Sequence, residues 1–126
     1  MTSTLFTNAR LIDPEQGTDA PGWLLIEQGV IKAVGSESDA PDADEVVDCA
    51  GHCLAPGIVD IGVKVCEPGE RHKESYRSAG LAAAAGGVTT MVTRPDTDPA
   101  IDTPEVLEFI RDRAEYDAPV NVLPMA

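Results

Sequence analysis

Between residues 58 and 123 the chain switches four times between strand-like and helix-like texture, and no other feature restricts its fold as much. Ile58-Val-Asp-Ile-Gly-Val-Lys-Val65 reads as a strand. Lys73 to Ala85 is Ala-rich and helix-favouring, and it stops at Gly86-Gly87, where a left-handed capping residue is expected. Val88-Thr-Thr-Met-Val-Thr93 is β-branched and reads as a second strand. Asp102-Thr-Pro-Glu105 resembles a capping box with proline in the first turn, opening a helix to about Tyr116 whose Val106, Leu107, Ile110 and Ala114 share one face. Val120-Asn-Val-Leu123 is a third strand. Such alternation requires parallel strands covered by helices. The first strand-to-helix turn, Glu67-Pro-Gly-Glu-Arg-His72, lacks the glycine pattern that cradles phosphates in doubly wound sheets. A closed barrel of eight such units takes about 250 residues, so in a barrel this chain would be a fragment.

Residues 1–50 have a different texture. Leu5 to Ile12 is a strand-compatible run ending at Asp13-Pro14, and Trp23–Ile26 meets Val30–Val34 across Glu27-Gln28-Gly29, a hairpin signal. The acidic, Pro-containing stretch 36–45 is expected to be a surface loop, followed by a short strand around Val46-Val47.

Charge removes whole classes of function. Nine Lys and Arg face 22 Asp and Glu, a net charge of −13. Residues 1–50 hold two basic and ten acidic groups and residues 51–126 seven and twelve, so no basic tail is hidden in the average. Neither a nucleic-acid backbone nor an anionic membrane surface suits such a chain. No apolar run reaches the 18 to 20 residues of a spanning helix, and the N-terminus lacks the pattern of a secretion signal. Cys49, Cys53 and Cys66 are too few for a disulfide scaffold. The expectation is a soluble, cytoplasmic protein.

The strand at 58–66 is where chemistry is expected. With a period of two, Val59, Ile61, Val63 and Val65 should lie under helices, and Asp60, Gly62, Lys64 and Cys66 should face the interior or the C-terminal mouth where barrel active sites lie. An inward ammonium at Lys64 is costly unless paired or hydrated. Asp60 could supply charge of the opposite sign, although four strand residues span about 13 Å, too far for direct contact along one strand.

Leu54-Ala-Pro-Gly-Ile-Val-Asp-Ile-Gly-Val-Lys-Val-Cys-Glu-Pro-Gly69, Ala82-Ala-Ala-Ala-Gly-Gly-Val-Thr-Thr90 and Arg94-Pro-Asp-Thr-Asp-Pro-Ala-Ile-Asp-Thr-Pro104, in this order, resemble the opening of the class I dihydroorotases of the amidohydrolase superfamily. The resemblance runs from about Leu5 to the end. It implies a small β-sandwich portion over residues 1–55 and the first three βα units of a metal-dependent (β/α)₈ barrel over residues 56–126.

The same resemblance makes the departures informative. The family pattern Asp-x-His-x-His-x-Arg-Glu-Pro-Gly places two zinc-ligating histidines where this chain has Gly62 and Lys64, and a substrate-binding arginine where it has Cys66. The asparagine of the family's Pro-Asn-Thr-x-Pro segment is Asp96 here. Glycine offers no ligand atom, and an ammonium has no lone pair and repels a dication. Asp60, Glu67, Pro68, Gly69 and Thr97 stay matched. A fold kept while its chemistry is lost implies a non-catalytic dihydroorotase homologue of pyrimidine biosynthesis, with no metal held by this chain. The family precedent implies an oligomer and, as partner, the catalytic chain of aspartate transcarbamoylase. The alternative is an active amidohydrolase, hydrolysing a cyclic amide with zinc held by ligands from further along the barrel. A third reading takes the 126 residues as a complete small protein.

The remaining candidates are weaker. Cys49, His52 and Cys53 lack the second ligand pair of a structural zinc site, and the cysteines read as small buried hydrophobes. Cys66 beside Glu67 is a poor thiolate, and His72 reads as an exposed loop residue. The small residues of Leu81–Ala85 are expected to pack closely on the sheet.

Overall fold

The computed structural model describes residues 2–126, which divide into two units, one ending at Pro56 and the other beginning at Gly57. In the first unit, β1 (Ser3–Asp13), β2 (Thr18–Glu27), β3 (Val30–Gly35), β4 (Glu45–Asp48) and β5 (Cys53–Leu54) form one mixed sheet in the order β3-β2-β1-β4, with β5 also on β1. β1, β2 and β3 are antiparallel neighbours, whereas β4 and β5 run parallel to β1. The β2–β3 turn is tight because Gln28 and Gly29 both take positive φ, 54° and 76°, the backbone of the hairpin turns that match strand twist. Leu5, Trp23 and Leu25 form the core, with Ala33 and Ala43 against it.

The 36–45 stretch is more ordered than a plain surface loop. It contains a short 3₁₀ turn, Glu37–Asp39, and Asp39 accepts a hydrogen bond from the Trp23 indole at 3.1 Å. That bond and one from Ser36 hold the Asp39 carboxyl below the usual carboxylate range. At the end of the stretch Asp44 accepts from the Ser3 backbone N–H and hydroxyl at 2.8 and 2.9 Å.

The second unit is the βαβαβ succession β6 (Ile58–Val63), α1 (Tyr76–Ala85), β7 (Val88–Thr93), α2 (Pro104–Asp117) and β8 (Asn121–Pro124), with parallel strands in the order β6-β7-β8. Helix α1 starts three residues later than its composition predicts. Ser75 caps it by accepting from the Ser78 N–H, while the Ser78 hydroxyl accepts from the Ser75 N–H, a capping box that fixes the first turn. At the other end Gly87, at φ +80°, is the left-handed residue. Helix α2 is capped by Thr103, one residue after the start of the Asp102–Glu105 signal, because the proline that follows it suits the first helical position. Replacing Thr103 with alanine should therefore cost about 1 kcal/mol in a urea unfolding titration of the full-length protein.

The core of this unit is Val65, Tyr76, Ala79, Met91, Ile101, Ile110 and Ala114, with Val106 and Leu107 packed against it. The expected apolar face of α2 is the one that packs. The small residues that make the close approach are Ala79 and Gly80, both buried, while Leu81 is exposed. A Cβ on Gly80 would stand 2.6 Å from the Pro119 ring. Of Leu81–Ala85, Ala83 packs against this core, and the other four residues are exposed. Among the described residues no helix is long and apolar enough to cross a membrane.

Candidate functional site

Regular alternation along 58–66 fails at Gly62. Val59 pairs with Thr90, Asp60 with Met91 and Ile61 with Val92, but Val63 pairs with Thr93, so Gly62 is an extra residue, a bulge at φ +91°. Paired residues on neighbouring strands share a face. Asp60 therefore lies on the face of Met91, which is buried under the helices, while Val59 and Ile61 lie on the opposite face and are 56% and 72% exposed. Asp60 is itself exposed, as is all of 58–62, so the expected covering of the odd positions is absent before the bulge and is seen only beyond it, where Val63 and Val65 pack into the core. A glycine at positive φ absorbs the extra residue at low cost, and that choice of backbone is invisible to a period-two reading.

Past the bulge, the chain leaving β6 and the loop after β7 enclose a cavity of about 160 Å³ at the C-terminal ends of the strands. Lys64, Cys66, Pro68, Glu70, Asp96 and Thr97 are among its walls. Lys64, Cys66, Asp96 and Thr97, singled out from the sequence, thus stand together, although 32 residues separate Lys64 from Asp96. The Lys64 ammonium donates to Asp96 Oδ2 at 3.2 Å, and Arg94 Nη2 donates to the same oxygen at 3.0 Å. The Lys64 hydrogen bond, seconded by the charge of Arg94, holds the Asp96 carboxyl below the usual carboxylate range. Lys73 pairs with Glu70, which lowers the Glu70 carboxyl and raises the Lys73 ammonium. The Thr97 hydroxyl donates to the Pro99 carbonyl at 2.7 Å. The partner of Lys64 is therefore Asp96 and not Asp60.

Glu67, Pro68 and Gly69 serve the architecture around this cavity. Glu67 is 3% exposed; its Oε2 accepts the Tyr76 backbone N–H at 3.1 Å, and its Oε1 receives Arg113 Nε at 3.1 Å and Arg71 Nε at 3.2 Å. Arg113 reaches on to Asp117 at 3.1 Å. One buried carboxylate thereby satisfies the start of α1 and ties it to α2. The Pro68 carbonyl accepts from the Asp98 N–H at 3.4 Å. Gly69, at φ +103°, allows the Asp98 backbone to pass close by.

Sequence reasoning missed Arg94, Arg71 and Arg113. Arg94 carried a usable signal, being the first residue after a β-branched strand and so at its C-terminal end. Arg71 and Arg113 gave none, since their function depends on the approach of α2 to the β6–α1 loop. Cys53 is exposed and Cys49 partly so, contrary to the buried role expected of them; Cys53 lies in the two-residue β5. His72 is exposed as expected.

The residues here do not fit a zinc ion. Where the dihydroorotase resemblance places two histidines, Gly62 supplies no donor and holds a φ that L side chains rarely adopt, and the Lys64 ammonium is committed to Asp96. Among the described residues no three His, Cys, Asp or Glu side chains are grouped to hold a metal.

The second unit is the opening of an amidohydrolase-type (β/α)₈ barrel. An L-hydantoinase from Arthrobacter aurescens superposes with a TM-score of 0.86 at 21% identity, over 98% of this chain and 27% of the hydantoinase. A dihydroorotase crystal structure superposes at 0.64 with 22% identity, over 99% of this chain and 31% of the other. An enamidase of the amidohydrolase superfamily does so at 0.64 with 25% identity, over 96% and 35%. A family profile described as dihydro-orotase-like matches residues 51–126. The chain belongs to the dihydroorotase-like family. It is 44% identical over 122 residues to a dihydroorotase of Anaplasma phagocytophilum and 45% identical over 118 residues to one from the Wolbachia of Drosophila simulans. It spans 27% of the length of each of these relatives.

Proposed function

We propose that the full-length protein is a cytoplasmic, dihydroorotase-like component of pyrimidine biosynthesis that does not hydrolyse dihydroorotate and acts as a structural partner of the aspartate transcarbamoylase catalytic chain. The observation that supports this most is the Lys64–Asp96 ion pair at 3.2 Å, which puts an ammonium where the family resemblance calls for a metal ligand. Gly62 at positive φ supports the same reading from the backbone. The residues that stay matched fit it too: Glu67 and Gly69 are explained by packing and hydrogen bonding, without reference to a reaction.

The test is made on purified full-length protein. Zinc analysis by mass spectrometry and a dihydroorotate hydrolysis assay, both after zinc repletion, should give substoichiometric metal and no turnover above buffer. Light scattering of a mixture with the aspartate transcarbamoylase catalytic chain should show a complex larger than either component. Stoichiometric zinc with turnover would establish the active amidohydrolase instead, and the absence of a complex would remove the structural role.

A further inference from the structure

Of the five aromatic side chains, Trp23 and Tyr76 are buried and Phe6 is half-buried; the two that remain exposed stand on one helix. Phe109 is 50% exposed and Tyr116 88%. Seven residues apart on α2, they fall on one stripe with Arg113, at spacings of four and three. Arg113 reaches Glu67 in the β6–α1 loop, so this stripe lies on the flank of α2 that faces the first βα unit. Further units of the barrel add beyond β8, on the other flank, and do not cover it. The acids around the rings are not explained by the helix. Glu105 suits the first turn, but Glu108, Asp112 and Glu115 recur at spacings of four and three, where like charges repel, and no basic residue sits in the last turn. Among the described residues none of these three is in an ion pair.

We infer that the Phe109–Tyr116 stripe of α2 is a protein-docking surface whose partner presents an apolar groove rimmed by lysine or arginine. Two rings two turns apart supply the anchors, and the unpaired carboxylates beside them select a basic rim. A second copy of this chain matches the stripe poorly. All of its nine basic residues except Arg77 and Arg111 already face an acid. The inference rests on the proposed function for the identity of the partner, and adds where that partner sits and what its surface must carry.

The probe is the aspartate transcarbamoylase catalytic chain, titrated into full-length protein and followed by calorimetry. Wild type should bind it, more weakly as salt is raised. Phe109→Ser combined with Tyr116→Ser should weaken binding at least about tenfold, and Tyr116→Ser alone by a smaller factor. Asp112→Lys should weaken it too and reduce the salt dependence. Tyr116 is so exposed that its replacement leaves the fold intact, and a thermal melt checks each variant. Unchanged affinity in the double variant would overturn the docking surface and leave the proposed function standing, whereas no binding by wild type would remove both. Light scattering of each protein alone covers the other occupant: self-association of wild type that the double variant loses would make it a second copy and overturn the basic partner.

Discussion

Replacing Glu67 with alanine in the full-length protein is expected to remove about 3 to 5 kcal/mol of unfolding free energy, the range for breaking a buried charge pair by deleting one partner. The carboxylate is nearly inaccessible and its two oxygens do separate work. Oε2 accepts the Tyr76 N–H, one of the donors the first turn of α1 cannot satisfy internally, and places a negative charge at the positive end of that helix. Oε1 holds Arg113, whose other contact is Asp117 on the same helix, so truncation leaves Arg113 only partly compensated. Arg71, being 58% exposed, contributes little of the total. Glu67→Gln should fall between wild type and alanine, since an amide oxygen can still accept from Tyr76 while the charge facing Arg113 is lost. Urea unfolding of the three proteins decides the matter. A loss below about 1 kcal/mol for the alanine variant would mean that solvent replaces the carboxylate easily, contrary to its burial.

The second large effect is expected at Gly69. At φ +103° a residue with a side chain is strained, and a Cβ there would lie 2.5 Å from the Asp98 carbonyl oxygen and 2.7 Å from the Asp98 Cβ. Both the backbone strain and the displacement of Asp98 oppose the substitution, so Gly69→Ala should cost about 2 to 4 kcal/mol. Gly87→Ala is the natural control. That glycine also has positive φ, +80°, but nothing lies within 4 Å of its would-be Cβ, so only about 1 kcal/mol of conformational strain applies. Equal costs at the two positions would show that the Asp98 loop yields freely. Because that loop also bears Asp96, Gly69→Ala should weaken the Lys64–Asp96 contact, visible as a shift of the Lys64 ammonium resonance.

These two residues change how the matched motif is understood. Glu67-Pro68-Gly69 reads like part of a catalytic signature, yet every member has a structural role. Glu67 caps α1 and bridges it to α2, Pro68 offers its carbonyl to the Asp98 N–H, and Gly69 lets the loop after β7 approach. The barrel opening depends on all three, whatever chemistry the full-length protein performs.

The order of elements was open to sequence reasoning because it rests on local chemistry. β-branched runs, an alanine-rich segment ended by paired glycines, a Thr-Pro helix start and the Gln28-Gly29 turn act within a few residues, so parallel strands under two helices followed without knowledge of distant contacts. The motif order likewise pointed to the family and singled out Gly62, Lys64, Cys66 and Asp96. The tertiary structure alone decided the faces and the partners. Gly62 took up an extra residue in β6 and moved Asp60 to the helix side, because a bulge is settled by register against β7 and not by the strand's own alternation. Lys64 met Asp96 and Arg94, and Glu67 met Arg71 and Arg113, because parallel strand ends and helix packing bring together residues that are far apart in the chain. An ion pair depends on distance, and along a folded chain distance is set by how its elements pack.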